Sequence, residues 1–136
     1  MKRFIVMMGI LAITVMFLVT WHFTNNLNIT KEDATKIVIT TLPESETYKR
    51  SYTDVDKIGK IIEYLNELSL KKRFTENPDE YSGMTYIITI SYKDGSQNVV
   101  YHFGNIFLRE NDGNWKRMSY DKARKLESII KDNPSD

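Results

Sequence analysis

An uncharged run at the N-terminus is the feature that most constrains this chain. Lys2 and Arg3 are followed by 20 residues, positions 4–23, that contain no Asp, Glu, Lys or Arg. As an α-helix this run would be about 30 Å long, which matches the hydrocarbon core of a bilayer. Because it is apolar on all sides, it differs from the amphipathic helix of a soluble domain. We therefore expect residues 1–23 to form a single transmembrane anchor.

The residues that flank this run predict its orientation and its retention. The positive-inside rule keeps Lys2 and Arg3 in the cytoplasm and places the C-terminus outside the cell. A cleaved signal peptide is the main alternative, and it requires small residues just before the cleavage site. Residues 19–26 contain no Ala-x-Ala-like site. This absence favours an uncleaved anchor in the cell membrane.

The rest of the chain has the composition of one small globular domain. Hydrophobic residues make up 41% and charged residues 27% of the chain, and 19 basic side chains stand against 18 acidic ones. This balance gives no electrostatic reason to expect nucleic acid as a partner. The lack of cysteine excludes disulfides, thiolate metal sites and a lipidated cysteine. We assign residues 24–29 to a short stalk and residues 30–136 to an extracytoplasmic domain.

The first half of this domain predicts two strands and one helix. Residues 30–33 resemble a capping box for one or two helical turns. Residues 36–42 are β-branched and favour a strand, and residues 46–53 would pair back as a second one. A helix capped by Thr53 or Asp54 follows. Its apolar residues recur at steps of three and four, and they are Val55, Ile58, Ile61, Ile62, Leu65 and Leu68.

The second half predicts a meander of strands and a closing helix. Residues 93–96 and 111–114 have the Asp-Gly chemistry of hairpin turns. In the strand between them we expect Val99, Tyr101 and Phe103 to share one face. The strands are residues 84–92, 97–103, 105–110 and 115–118, and a helix capped by Ser119 turns Ala123, Leu126, Ile129 and Ile130 inward. The predicted class is α+β, with two helices on one face of a largely antiparallel sheet.

No residue pattern predicts a catalytic, metal or cofactor site. His102 lacks a marked serine or further metal ligands, so we expect it at the surface or in packing. Ser119 and Lys122 match a Ser-x-x-Lys pattern, but the other elements of penicillin-binding enzymes are missing and a helix cap explains Ser119 better. Residues 111–114 fail the spacing of a calcium loop. The acidic residues around Pro78 are expected in a solvated loop rather than in a glycosidase pair.

Basic and aromatic residues outside the core pattern indicate an interaction surface instead. Lys116, Arg117 and Arg124 belong to a basic cluster that can meet an anionic lipid or wall polymer, although nearby acidic residues balance it and a solvated face is the simpler interpretation. Tyr81 and Tyr120 lie outside the inward pattern, and exposed aromatic residues are good anchors for a protein or peptide partner.

Three stretches within residues 52–130 carry a resemblance to a known group of proteins. They are YTDVDKIGKIIEYLNEL, TYIITISYKDGS and WKRMSYDKARKLESII. These stretches resemble a poorly characterised family of small membrane-anchored or lipoprotein domains of Gram-positive bacteria. The resemblance implies an extracytoplasmic location, and it implies no activity, cofactor or functional residue.

The leading functional hypothesis is a binding domain, not an enzyme, with no cofactor. The anchor in the lipid bilayer would hold it close to a protein, peptide or cell-wall partner, and tethering raises the effective concentration of both. An alternative is an immunity or inhibitor protein that acts on an extracellular toxin or enzyme. A second alternative is a small carboxylate-dependent hydrolase, which would require two carboxyl groups facing each other across a cleft.

Overall fold

A computed structural model describes residues 2–23, 26–71, 75–118, 124–126 and 128–129. Its helices are α1 (Lys2–Phe23) and α2 (Val55–Glu67), with short 3-10 helices at Glu46–Tyr48 and Pro78–Glu80. Its strands are β1 (Ala34–Leu42), β2 (Arg50–Tyr52), β3 (Leu70–Lys71), β4 (Thr85–Tyr92), β5 (Gln97–Phe103), β6 (Phe107–Glu110) and β7 (Lys116–Met118). Residues 124–126 and 128–129 are helical as well. The Leu42–Pro43 peptide bond is cis.

All seven strands form one antiparallel sheet, in the order β2-β1-β4-β5-β6-β7-β3. Strands β4 to β7 are the predicted meander, and both hairpin turns lie where their Asp-Gly chemistry predicts them. The prediction of an α+β class with an antiparallel sheet is therefore confirmed. The two-residue strand β3 was not predicted. It pairs with β7 and forms one edge of the sheet.

Helix α2 and the last helical segment cover one face of the sheet, here called the inner face, and the hydrophobic core lies between them and the sheet. Alternate residues of β1, β4 and β5 point to this face because successive side chains of a strand point to opposite sides. Leu126 of the last helical segment is fully buried in the same core as α2, so both helical layers lie on one face as predicted. The buried strand residues on this face are Ile37, Ile39, Thr41, Tyr52, Leu70, Tyr86, Ile88, Ile90, Val100, His102, Leu108 and Met118.

The predicted grouping of Val99, Tyr101 and Phe103 on one face of β5 is confirmed, and this face points away from the core. Val100 and His102 point to the core, and Val99 and Tyr101 point to the other side of the sheet. The cause is the register with β4, because Val100 lies opposite the buried residue Ile88. Directly paired residues of neighbouring strands share a face.

Helix α2 agrees with its predicted pattern. The Asp54 side chain caps it by accepting a hydrogen bond from the Lys57 main-chain nitrogen at 2.9 Å. The residues at steps of three and four are buried from Ile58 to Leu68, whereas Val55, in the first turn, is 77% exposed. The helix therefore covers the sheet from its second turn onward.

Residues 26–29, predicted as part of a stalk, are integrated into the domain. Leu27 and Ile29 are buried in the core. The Asn66 side chain binds the main chain of Ile29 twice, because its Oδ1 accepts from the nitrogen and its Nδ2 donates to the carbonyl, both at 2.8 Å. The helical turn expected at residues 30–33 does not form, and Asp33 lies in a turn with φ of 63° instead.

Helix α1 lies outside the core. It is 22 residues long, and the side chains described in it, residues 5–18, are all exposed. Among the parts of the chain that the structure describes, no helix combines the length and the apolar character needed to cross a membrane. The transmembrane anchor stays a prediction from the sequence.

Candidate interaction surface

The outer face of the sheet carries a belt of half-buried apolar and aromatic side chains. This face points away from α2, and none of the described helices packs on its central strands. Its residues are in register across β1, β4 and β5, so that Ile87 has Thr40 on one side and Tyr101 on the other. Ile87, Val99 and Tyr101 on this face are half-buried, so part of each apolar side chain remains open to a partner.

Four aromatic rings form a connected cluster at the β6 side of this face. The Phe103 and Phe107 rings are stacked, with centroids 6.4 Å apart and planes within 4°. Tyr81 meets the Phe107 ring edge-on at 5.5 Å, and the Trp115 ring lies 6.5 Å from Phe103. Such geometries are the favoured ones for aromatic pairs. Phe107 is fully buried under the cluster, whereas Tyr81 is 43% exposed.

Arg109 is held between two aromatic rings at the edge of this cluster. The central carbon of its guanidinium lies 4.5 Å from the centroid of Tyr101 and 4.8 Å from that of Trp115. Tyr101 is its cross-strand partner on β5, and Trp115 immediately precedes β7. The Nε atom of Arg109 is buried and has no hydrogen-bond acceptor among the described residues. We call Arg109, Tyr101 and Trp115 the arginine clamp.

The loop between β3 and β4 lies over the same cluster. Glu76 forms an ion pair with Arg117 of β7. Asn77 caps the short helix Pro78–Glu80, since its side chain accepts from the Asp79 nitrogen at 3.2 Å. A Cβ atom on Gly83 would lie 3.4 Å from the Phe103 ring, so the loop passes close to that ring. These contacts hold Tyr81 against Phe107.

The residues predicted as an interaction surface are divided between the two faces. Tyr81 and Arg117 are on the outer face with the arginine clamp. Lys116 points to the inner face, because it lies opposite the buried residue Leu108. Arg124 is exposed in the last helical segment, on the helical side of the sheet. Tyr120 lies outside the described residues. The structure therefore joins only two of the five predicted positions.

His102 is buried in the core. The sequence predicted that it lies either at the surface or in packing, and the structure shows packing. It is 1% exposed, and its Nε2 atom lies 3.3 Å from the hydroxyl of Tyr64 on α2. Burial lowers the pKa of His102 to about 4, against the opposing effect of the main-chain groups of His102 and Gly104. Its neutral ring therefore bridges sheet and helix. Within the described ranges, no three His, Asp or Glu residues come together as a metal site.

A separate open groove of about 610 Å³ lies at the N-terminal end of α2. Its walls are the turn at residues 31–34, the first turns of α2 and the Lys93 side chain. Cations and carboxylates alternate around it, and Lys93 donates to Asp33 at 2.8 Å. This mixture of charges gives the groove no preference for a ligand of one sign.

The arginine clamp was not found from the sequence. Its three residues belong to β5, β6 and the turn before β7, so only the strand register joins them. The alternation of Phe107 and Arg109 in one short strand was the available signal. Because Phe107 and Arg109 lie two residues apart in a strand, they share a face, and this pairing of a cation with an aromatic residue could have indicated a binding surface.

Comparison with known proteins identifies no relative. The chain matches no protein-family model, and no curated protein or solved structure is significantly similar to it.

Proposed function

We propose that this chain is a membrane-anchored, extracytoplasmic binding module whose outer sheet face binds a protein or peptide segment that presents a carboxylate. The observation that carries this proposal is the guanidinium of Arg109, held between the rings of Tyr101 and Trp115.

The arginine clamp restricts the side from which a partner can reach the guanidinium of Arg109. Two rings lie within cation–π distance of the guanidinium, so a further partner is expected to approach its edge, in the plane of the N–H groups. A planar fork of donors matches a carboxylate, which it binds through two parallel hydrogen bonds. The buried Nε of Arg109 has no acceptor among the described residues. Because Nε is buried, an incoming carboxylate would have to bind the terminal N–H groups of the guanidinium.

The surroundings of the clamp have the anatomy of a binding surface. Tyr, Trp and Arg are the residue types that most often dominate interface energetics. The clamp contains one of each, and the exposed ring of Tyr81 lies on the same cluster. Ile87 and Val99 extend the apolar area across β4 and β5. The complementary partner therefore has an acidic side chain flanked by apolar ones.

The anchor rests on the sequence and on one structural feature. The exposed apolar side chains at residues 5–18 have no place in the core and require a nonaqueous environment. In the sequence the uncharged run extends beyond them, to residues 4–23. With Lys2 and Arg3 in the cytoplasm, the domain lies outside the cell. A tethered domain can act through a weak interface, since confinement raises the local concentration of both partners.

The test is selection from a random peptide library displayed on phage, with the full chain in nanodiscs as bait. The wild type is expected to enrich peptides that carry Asp or Glu next to aromatic or aliphatic residues. Arg109→Gln should lose this enrichment, whereas the control Arg124→Gln, which removes a cation on the helical side, should retain it. Equal enrichment by wild type and Arg109→Gln would refute the proposed site.

A further inference from the structure

We infer that the end of the domain formed by β3 and the C-terminal end of α2 lies against the headgroup layer of the membrane that holds α1. This inference rests on the proposed anchor and adds the orientation of the domain and the surface that faces the lipid.

The connection between helix α1 and the domain is too short to allow a free orientation. α1 ends at Phe23, and Leu27 is already buried in the core. Four residue steps can span at most about 14 Å of extended chain. The domain therefore cannot move away from the end of α1 by more than a fraction of its own diameter. The surface around Leu27 must lie next to the membrane.

Three contacts identify which surface this is. The Asn26 side chain accepts from the Leu70 nitrogen of β3 at 3.4 Å, and Ile29 is bound by Asn66 in the last turn of α2. Lys31 then pairs with Glu63 at 3.5 Å, one turn earlier. The segment after α1 thus runs along α2 from its C-terminal end toward its N-terminal end. It enters the domain beside β3.

The opposite end of α2 defines the side that points away from the membrane. The open groove lies there, because residues 31–34 line it together with Val55 and Asp56 of the first turn. The 13 residues of α2 are about 20 Å long. The groove, which extends along α2 from Val55 to Glu63, and the turn at residues 93–96 therefore lie farther from the bilayer than β3 does.

The charge at the near end fits a lipid headgroup layer that contains anionic phospholipid. Lys71 is exposed in β3 and forms no ion pair with any described residue. Its cross-strand partner on β7 is Arg117, whose charge is matched by Glu76. A lysine beside the headgroups gains energy from their negative surface potential. The phosphate groups of anionic lipids are thus the ligand for Lys71.

The absence of cysteine allows a direct test with single labelled positions. Ser69, between α2 and β3, and Glu32, beside the groove, are both exposed. Each is replaced by cysteine in the full chain and labelled with a fluorophore. The two proteins are reconstituted in phosphatidylcholine vesicles that contain a headgroup-nitroxide lipid as quencher. We expect quenching at position 69 to exceed quenching at position 32 by roughly twofold, because Lys31, next to Glu32, contacts Glu63, about 9 Å along the helix from position 69.

The same samples are floated on a density gradient, so that failure of the anchor and failure of the orientation are distinguished. A chain that does not float with the vesicles overturns both the anchor and the inference. A chain that floats but shows equal quenching at the two positions, or more quenching at position 32, overturns the orientation alone.

A charge variant tests the role of Lys71. Addition of phosphatidylglycerol to the vesicles should increase quenching at position 69. Lys71→Gln should remove this increase, whereas Lys60→Gln, an exposed lysine near the groove, should leave it unchanged. An increase that survives in Lys71→Gln contradicts the assignment of anionic lipid to this residue.

Discussion

Tyr64 of α2 and His102 of β5 meet inside the core, with the tyrosine hydroxyl 3.3 Å from the histidine Nε2. Their contact joins the helical layer to the centre of the sheet. Burial raises the pKa of Tyr64 and lowers that of His102, so both groups are neutral at pH 7. The pair provides a polar link in the core without a buried charge, which would be costly there.

The first prediction is that acid destabilises the domain through His102. Burial lowers its pKa to about 4 in the folded protein, from the ordinary histidine value of 6.5. Between these values the unfolded chain binds a proton that the folded chain does not, so stability is complete above pH 6.5 and falls as the pH drops toward 4. The loss amounts to about 3 kcal/mol over this range. Urea unfolding of the full chain in mild detergent, at several pH values, measures it.

The matched variant is His102→Gln, whose amide reaches the same distance as Nε2. Carboxylates also titrate in acid, so the informative quantity is the difference between the two proteins. The unfolding free energy of His102→Gln should depend less on pH between 6.5 and 4. If the unfolding free energies of wild type and variant depend on pH in the same way, protonation of His102 does not destabilise the folded protein, and the prediction is wrong.

The second prediction concerns the Asn66 side chain, which satisfies both main-chain groups of Ile29. Asn66→Ala should destabilise the domain by about 1–3 kcal/mol, because a partly buried donor and acceptor lose their partners. Exchange of the Ile29 amide hydrogen should accelerate as well. Asn114→Ala, at an exposed turn, is the control and should change stability by less than about 0.5 kcal/mol. A stable Asn66→Ala with slow amide exchange would contradict the role of this side chain.

The third prediction compares two glycines in different surroundings. A Cβ atom at Gly113 would lie 2.9 Å from the Glu110 carbonyl oxygen, and main-chain atoms cannot easily give way. Gly113→Ala should therefore destabilise the hairpin by about 1–3 kcal/mol. Gly59 lies within α2 with open space beside it, so Gly59→Ala should stabilise the protein by about 1 kcal/mol through helix propensity. Thermal unfolding of the two variants should give shifts of opposite sign.

Local patterns determined the elements of this fold, and three-dimensional pairing determined the faces. The alternation of residues 85–92 and the periodicity of α2 were sufficient to predict both elements. In β5, however, Val99 and Val100 are equally apolar, and only the position of Val100 opposite Ile88 shows which one is buried. The two residues of β3 contain no periodicity at all. Local sequence patterns could therefore predict neither the buried face of β5 nor the strand β3.

The same limit applies to the interaction surface. Tyr81 was predicted because it lies outside the inward pattern, and Arg117 because it belongs to a basic cluster. Tyr101 and Trp115 were not predicted as part of this surface, because no local pattern shows that the strands bring them beside Arg109. Leu27 and Ile29 looked like part of a polar stalk, because the Asn66 contact that makes their burial possible is 37 residues away from Ile29. Long-range partners, rather than local composition, decide these positions.

The final prediction separates charge from geometry at the arginine clamp. Arg109→Lys keeps the positive charge but loses the flat guanidinium that Tyr101 and Trp115 enclose. A selected acidic peptide should therefore bind Arg109→Lys roughly tenfold more weakly, as the loss of one bidentate pair would cause. Arg124→Lys is the control and should bind as the wild type does. Fluorescence anisotropy of the labelled peptide measures both. Full affinity in Arg109→Lys would mean that a point charge suffices and that the two rings have no part in orienting the site.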